Sequence, residues 1–295
     1  MTDSLSQHRL GIVLAIVANA VWGGAALYWN ETKPVAPIDV LAHRSVWTLP
    51  IVFFVLVAAR RLHSTWNLLR DVHTLKYTAL AAALISLNWG VFLWAVTTGR
   101  ATEASLGYFM LPILTALAGV VVFRERPSRP QKIAIGLAIL SVVVQLLSLG
   151  AVPIISLTLS LSFALYSVIR KQIQADAIQG LFMECLFLMP VGLCWLVLHD
   201  GAGLLQHGLR TDLFLLGAGA LTAVPLLTHV AAARILPMST VGLLSYLGPT
   251  LQLIVAQTAL GESISPLTLM SFVIVWCGLG LIVFDGLRVR RRQSR

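Results

Sequence analysis

His43 and Arg44 lie within "LAHRSVWTLP", between "APIDV" and "IVFFVLVAA", inside an apolar run long enough to cross a bilayer. Glu184 lies in a second such run, "LFMECLFLMP". Ionisable groups at membrane depth cost several kcal/mol unless paired or hydrated, so all three are functional candidates. The Arg44 guanidinium is planar and permanently charged, and its donor fork suits a carboxylate or phosphate. It reads either as a substrate-anion anchor or gate latch, or as half of a structural ion pair with Glu103 or Glu184. His43 titrates in the physiological range and reads either as a proton relay or as a neutral ring bonded to a backbone carbonyl. Glu184 reads as a site for a cationic group or coupling proton, or as a structural partner of Arg44 or a basic loop residue.

Other chemistry is poorly supported. There is no HExxH, GxSxG or Walker A pattern and no Cys/His cluster. Cys185, Cys194 and Cys277 all fall in apolar runs without ligand spacing and read as small buried residues. Neither catalytic residues nor a metal site nor a cofactor is expected. Asn19, Trp22, Asn88, Trp89, Tyr108, Tyr166 and Tyr246 lie in span interiors. They suit a cavity with apolar walls and a few polar groups. Trp29 and Trp195 lie near span ends and read as interfacial anchors. Pro112 and Pro249 interrupt helical runs and free carbonyls for a gate or a ligand.

The elements that must position these groups are membrane helices. The chain of 295 residues is 58% hydrophobic and 11% charged, with mean hydropathy +0.86. A soluble domain carries about 25% charged residues. The net charge of +9 comes from cations in short loops, which reads as a topology signal and not as a nucleic-acid surface. Ten apolar segments follow, at 10–29, 37–59, 74–97, 102–123, 131–149, 151–170, 178–198, 211–233, 238–260 and 266–286. The first continues past a signal-like Ala18-Asn19-Ala20 and reads as an uncleaved helix. Unbroken runs without alternation exclude a β-barrel. Of the 21 Lys and Arg residues, alternation from a cytoplasmic N-terminus leaves only Lys33, Arg100 and Arg210 outside, with Arg44 within a span. All others fall inside, Arg170, Lys171 and Arg234 among them, so both termini are expected in the cytoplasm.

The halves are related. An offset of 137 pairs Pro112 with Pro249 and Glu125 with Glu262, and an offset of 140 pairs Pro50 with Pro190. The all-α fold expected is therefore two five-helix repeats, 8–149 and 151–286, followed by a basic tail at 287–295. Five is odd, so the second repeat is inverted, as in many secondary transporters. The offset of 140 also sets Arg44 on Glu184, each roughly 10 Å below opposite membrane faces at 1.5 Å per residue. Gly23-Gly24, Gly107 and Gly278-Leu279-Gly280 are expected to let helices approach closely.

The segments "LAHRSVWT", "NWGVFLWAV", "EASLGYFMLP", "VFRERPSR", "SFALYSVIRK" and "SYLGPTLQ" resemble the RarD type of the EamA group, in the drug/metabolite transporter superfamily. The resemblance covers Gly11 to Asp285 and includes Trp22-Gly23, His43-Arg44, Trp47, Asn88-Trp89, Ser105 to Phe109, Arg170-Lys171, Glu184, Tyr246 and Gly248-Pro249. His229 departs from it. The resemblance implies ten helices, a bacterial inner membrane, and a central cavity walled by helices 1–4 and 6–9, to which Trp47 is added as a candidate. The function expected is a secondary transporter exporting a small, possibly amino-acid-like metabolite. Its partners would be that substrate and membrane lipid, the chain acting as a monomer or weak dimer. A lipid flippase on the same scaffold is the alternative, and an intramembrane enzyme a distant third.

Overall fold

The structure is a computed structural model, described here for residues 2–32, 35–97, 100–149, 154–259 and 266–293. Among these residues it is entirely helical. The helices are α1 (Thr2–Asn30), α2 (Pro37–Ala58), α3 (Leu62–Arg70), α4 (Val72–Thr97), α5 (Ala101–Val121) and α6 (Arg129–Leu149). They continue with α7 (Ile154–Gln172), α8 (Ala177–Leu198), α9 (Leu209–Ile235), α10 (Met238–Leu244), α11 (Leu247–Thr258) and α12 (Pro266–Gln293). Among the described residues, seven stretches are long and apolar enough to cross a membrane: those in α1, α2, α4, α7, α8 and α9, and Met238–Val255. Shorter apolar stretches lie in α5 and α12. Large apolar side chains such as Phe54, Val191 and Val197 are more than two-thirds exposed, a surface that suits lipid and not water. The chain is a multi-pass membrane protein.

Two departures from the expected elements have physical causes. The connection after α2 contains α3, an amphipathic helix that buries Thr65 and exposes Leu62 and Trp66. It starts after Arg60, whose φ of 56° turns the chain. The ninth apolar segment is broken at Ser245 and Tyr246 into α10 and α11. Pro249 has no N–H, and its ring excludes the carbonyl four residues back, that of Ser245. Tight bonds take over there, from Tyr246 N to Leu243 O (3.4 Å) and from Gly248 N to Ser245 O (3.3 Å). Pro112, expected to interrupt its helix in the same way, lies inside an unbroken α5. Glu262, the counterpart of Glu125, lies outside the described residues.

Packing follows an exchange between the halves. α1 packs on α9 as α4 packs on α7; α1 packs on α11 as α5 packs on α7; α2 packs on α9 as α4 packs on α8. The pairs α2–α8, α5–α10 and α6–α12 bring like elements of the two halves together. α2 and α8 run antiparallel: Phe53 meets Phe182 with ring centroids 6.1 Å apart, while Gly192 faces the Ala42 carbonyl and the Ser45 side chain. Small residues set the closest approaches. A Cβ on Gly242 would sit 2.5 Å from the Pro112 carbonyl, and one on Gly23 would sit 2.5 Å from Leu251. Gly107 and Gly278 likewise abut Ser156 and Ala134, but Gly24 and Gly280 face open space and permit no such approach. Where α2, α4, α7, α8 and α9 converge, Val52, Ile85, Tyr166, Leu181 and Leu226 form the central apolar core.

Candidate functional site

Arg44 lies about two turns into α2 and stays partly exposed. Its Nε donates to Thr222 Oγ1 on α9 (3.1 Å), and that hydroxyl donates to the Ala218 carbonyl (2.8 Å). The guanidinium carbon lies 4.4 Å from the ring centre of Trp89 and 5.3 Å from that of Trp29. Both are within cation–π range. Among the described residues no carboxylate lies within 4 Å of Arg44. Trp29, expected as an interfacial anchor, is also part of the Arg44 environment. Glu103, one expected partner, has its side chain outside the described residues.

His43 is buried beside it. Nε2 lies 2.9 Å from the Ala202 carbonyl, and Trp47 Nε1 donates to Nδ1 (3.2 Å). An indole N–H only donates, so Nδ1 must be the acceptor and Nε2 must carry the proton. This is the neutral ring bonded to a carbonyl, with both nitrogens committed, and Trp47 fixes its tautomer. The Trp47 backbone in turn packs against Gly219, where any Cβ would overlap it.

Glu184 pairs with neither Arg44 nor a loop residue. α2 and α8 are antiparallel, so Arg44 and Glu184 occupy levels about seven residues apart, roughly 10 Å along the axis. The Glu184 partner is Arg170: Nε lies 2.9 Å from Oε1, and both side chains have an exposure of 1%. The Tyr166 hydroxyl donates to Oε2 (3.2 Å). Arg170 also donates through Nη2 to the carbonyls of Asp176 (3.3 Å) and Ala177 (3.1 Å). Gly180, one turn before Glu184, leaves the space the guanidinium fills; a methyl there would overlap it. Arg170, expected among the loop cations, thus belongs to the interior. Arg234 closes the cluster by donating to the carbonyls of Arg170 (3.2 Å), Ile173 (2.8 Å) and Ala175 (3.0 Å).

A narrow cavity of about 10 Å³ lies between these groups. That is room for about one water molecule. Ser45, Thr48, Trp89, Glu184 and Leu226 are among its walls. Trp89 therefore touches both the cavity and the Arg44 guanidinium. Asn88 ties three helices: its amide donates to the Leu159 carbonyl (2.7 Å) and Ser162 (3.1 Å), and its oxygen accepts from Tyr108 (3.3 Å). Trp22 packs on Phe163 and on His229, whose Nε2 lies 3.1 Å from the Ser167 hydroxyl. Asn19 bonds its own helix through the Ala15 carbonyl and faces Gly248 at the α11 start. Tyr246 packs edge-on to Phe109, away from this cluster, and Pro112 and Pro249 lie in the α5–α10–α11 layer with it.

The geometry thus gathers Arg44, Trp89 and Glu184 around the α2–α8 contact and adds Arg170, Thr222, Trp29 and Gly180. Relatives share this length of chain. A protein named RarD from Streptomyces exfoliatus is 37% identical over 98% of this chain and 92% of its own length. RarD from Escherichia coli K12 is 36% identical, with 98% and 99% covered. A protein named only as an uncharacterized transporter from Vibrio cholerae is 33% identical over 100% and 99%. One solved crystal structure shares the fold with a TM-score of 0.71, at 15% identity over 92% of this chain and 96% of its own. The sequence model of the EamA-like transporter family matches twice, at residues 9–147 and 151–284. The chain belongs to the EamA-like transporter family.

Proposed function

We propose that this protein is a secondary transporter that carries a small metabolite across the bacterial cytoplasmic membrane by alternating access. The observation that carries the reading is the exchanged packing of the two halves around the antiparallel α2–α8 contact. Such packing gives two halves with matching interfaces that can rock about one axis. In this reading α1, α2, α4, α5, α6, α7, α8, α9, α10–α11 and α12 supply ten spans in two inverted repeats, with both termini in the cytoplasm. The name shared by the Streptomyces and Escherichia relatives, and the transporter description of the Vibrio one, support it. The near-filled interior corresponds to a closed arrangement between two open ones, and export is the direction inferred. The test is counterflow in proteoliposomes: a labelled metabolite should accumulate against an unlabelled internal pool, with and without a pH gradient. Movement of lipid between leaflets with no solute exchange would replace this reading by a flippase.

A further inference from the structure

Resting on the transport reading, we infer that the cargo is an organic anion, a carboxylate on an apolar or aromatic body, and that Arg44 is its anchor. The inference starts from a charge count in the interior. Glu184 is held by Arg170 at 2.9 Å and by the Tyr166 hydroxyl, so that pair is internally compensated. Arg44 is left as a cation with no described carboxylate within 4 Å. A guanidinium at membrane depth with no counter-charge among the described residues can take one from the occupant of the site.

Geometry narrows the class. Nε is committed to Thr222, and the indoles of Trp29 and Trp89 lie over the guanidinium. The terminal donors remain, and they project in the guanidinium plane. A planar acceptor with two oxygens is the group that fork matches. Trp89 continues from the guanidinium to a cavity whose wall is apolar at Ile85, Leu188 and Leu226 and polar at Ser45, Thr48 and Glu184; the apolar side suits an apolar body behind the carboxylate. A zwitterion would also need an acid for its ammonium group. Glu184 is engaged by Arg170, and Asp212 lies ten residues before Thr222 on α9, about 15 Å along the helix.

The test is equilibrium binding to the purified full-length chain in detergent, read by tryptophan fluorescence and by thermal shift. The probes are benzoate, phenylacetate and octanoate, each against its neutral amide, with phenylalanine as the zwitterion. At least one carboxylate should bind about tenfold or more tightly than its amide, as loss of a charge-assisted contact predicts. Arg44→Gln should abolish that preference, and Arg44→Lys should keep only part of it. The wild-type ratio decides even if Arg44→Gln does not fold. No carboxylate binding, equal binding of amides or of phenylalanine, or a preference surviving in Arg44→Gln would overturn the inference. Flux separates it from the transport reading: a carboxylate that binds through Arg44 but never crosses in proteoliposomes keeps the anion site and sinks the transport reading, and with it the role of cargo. Transport confined to neutral or zwitterionic compounds sinks the anion assignment alone.

Discussion

Arg170 and Glu184 are each 1% exposed, so removing either side chain strands the other as a buried charge. Arg170→Met or Glu184→Met alone should cost about 3–5 kcal/mol, while the double replacement by apolar groups should recover most of it. Unfolding midpoints of the four proteins in detergent would measure this. Singles as stable as the parent would show that the pair carries no such coupling. Gly180→Ala tests the same contact from the other helix, since its methyl would overlap the guanidinium, and its midpoint should fall close to that of Arg170→Met. The sequence marked Glu184 by its depth in an apolar run, and that was legible. Its partner was not, because Arg170 sits at the C-terminal end of α7 beside Lys171 and Gln172, where a cation is usually a solvated anchor. Only the juxtaposition of Gly180 with the end of α7 makes room for it, and that is a tertiary fact. Trp29 was hidden in the same way: position near a span end says nothing about which cation comes to lie under its ring.

At the scale of elements, the break between α10 and α11 makes α10 a seven-residue helix whose start must be held from outside. Glu125, which follows α5, does this. Its carboxylate accepts from Met238 N (2.6 Å), Ser239 N (2.9 Å) and Ser239 Oγ (2.6 Å). Lys171 donates to the Leu236 carbonyl (2.6 Å), and Gln131 to Thr240 (3.2 Å), so three elements converge on one short helix. Glu125→Ala leaves two backbone donors and a hydroxyl without an acceptor, at a cost of about 2–3 kcal/mol. Hydrogen exchange should show it locally, with the amides of Met238 to Val241 exchanging roughly tenfold or more faster while α2 and α8 are unchanged. Unaltered exchange at α10 would mean that packing against α5 alone holds it. The sequence paired Pro112 with Pro249 but could not tell their different fates. α5 absorbs Pro112 without a break, whereas the same offset at Pro249 splits the helix. The amphipathic α3 escaped for another reason: nine residues in a basic connection look like a loop until Thr65 is seen to be buried and Trp66 exposed.

For the whole molecule, the proposed transport cycle takes the α2–α8 contact, where counterpart helices pair, as the axis about which the halves move. Ten apolar runs and two proline offsets were enough to anticipate an all-helical membrane chain with related halves, because membrane helices declare themselves by length and composition. The offset already set Arg44 and Glu184 at different depths, and the antiparallel register of α2 and α8 keeps them apart. That register also supplies a direct test of rocking. The Ser45 Cβ lies 3.1 Å from where a Cβ on Gly192 would sit, and a disulfide spans about 3.5–4.5 Å between Cβ atoms. Ser45→Cys with Gly192→Cys should therefore cross-link after the helices part by roughly half an ångström. Cys194 and Cys277, read from the sequence as buried, are exposed on the outer faces of their helices, so both are first replaced by Ser. If the halves rock about this contact, oxidation should stop solute flux in proteoliposomes by about tenfold or more, and a reductant should restore it; a rigid axis fixed at one end cannot open to both sides. Each single-cysteine protein should be indifferent to oxidant. Full flux through the oxidised double variant, with cross-linking verified by mass, would show that α2 and α8 move as one body and that access alternates elsewhere.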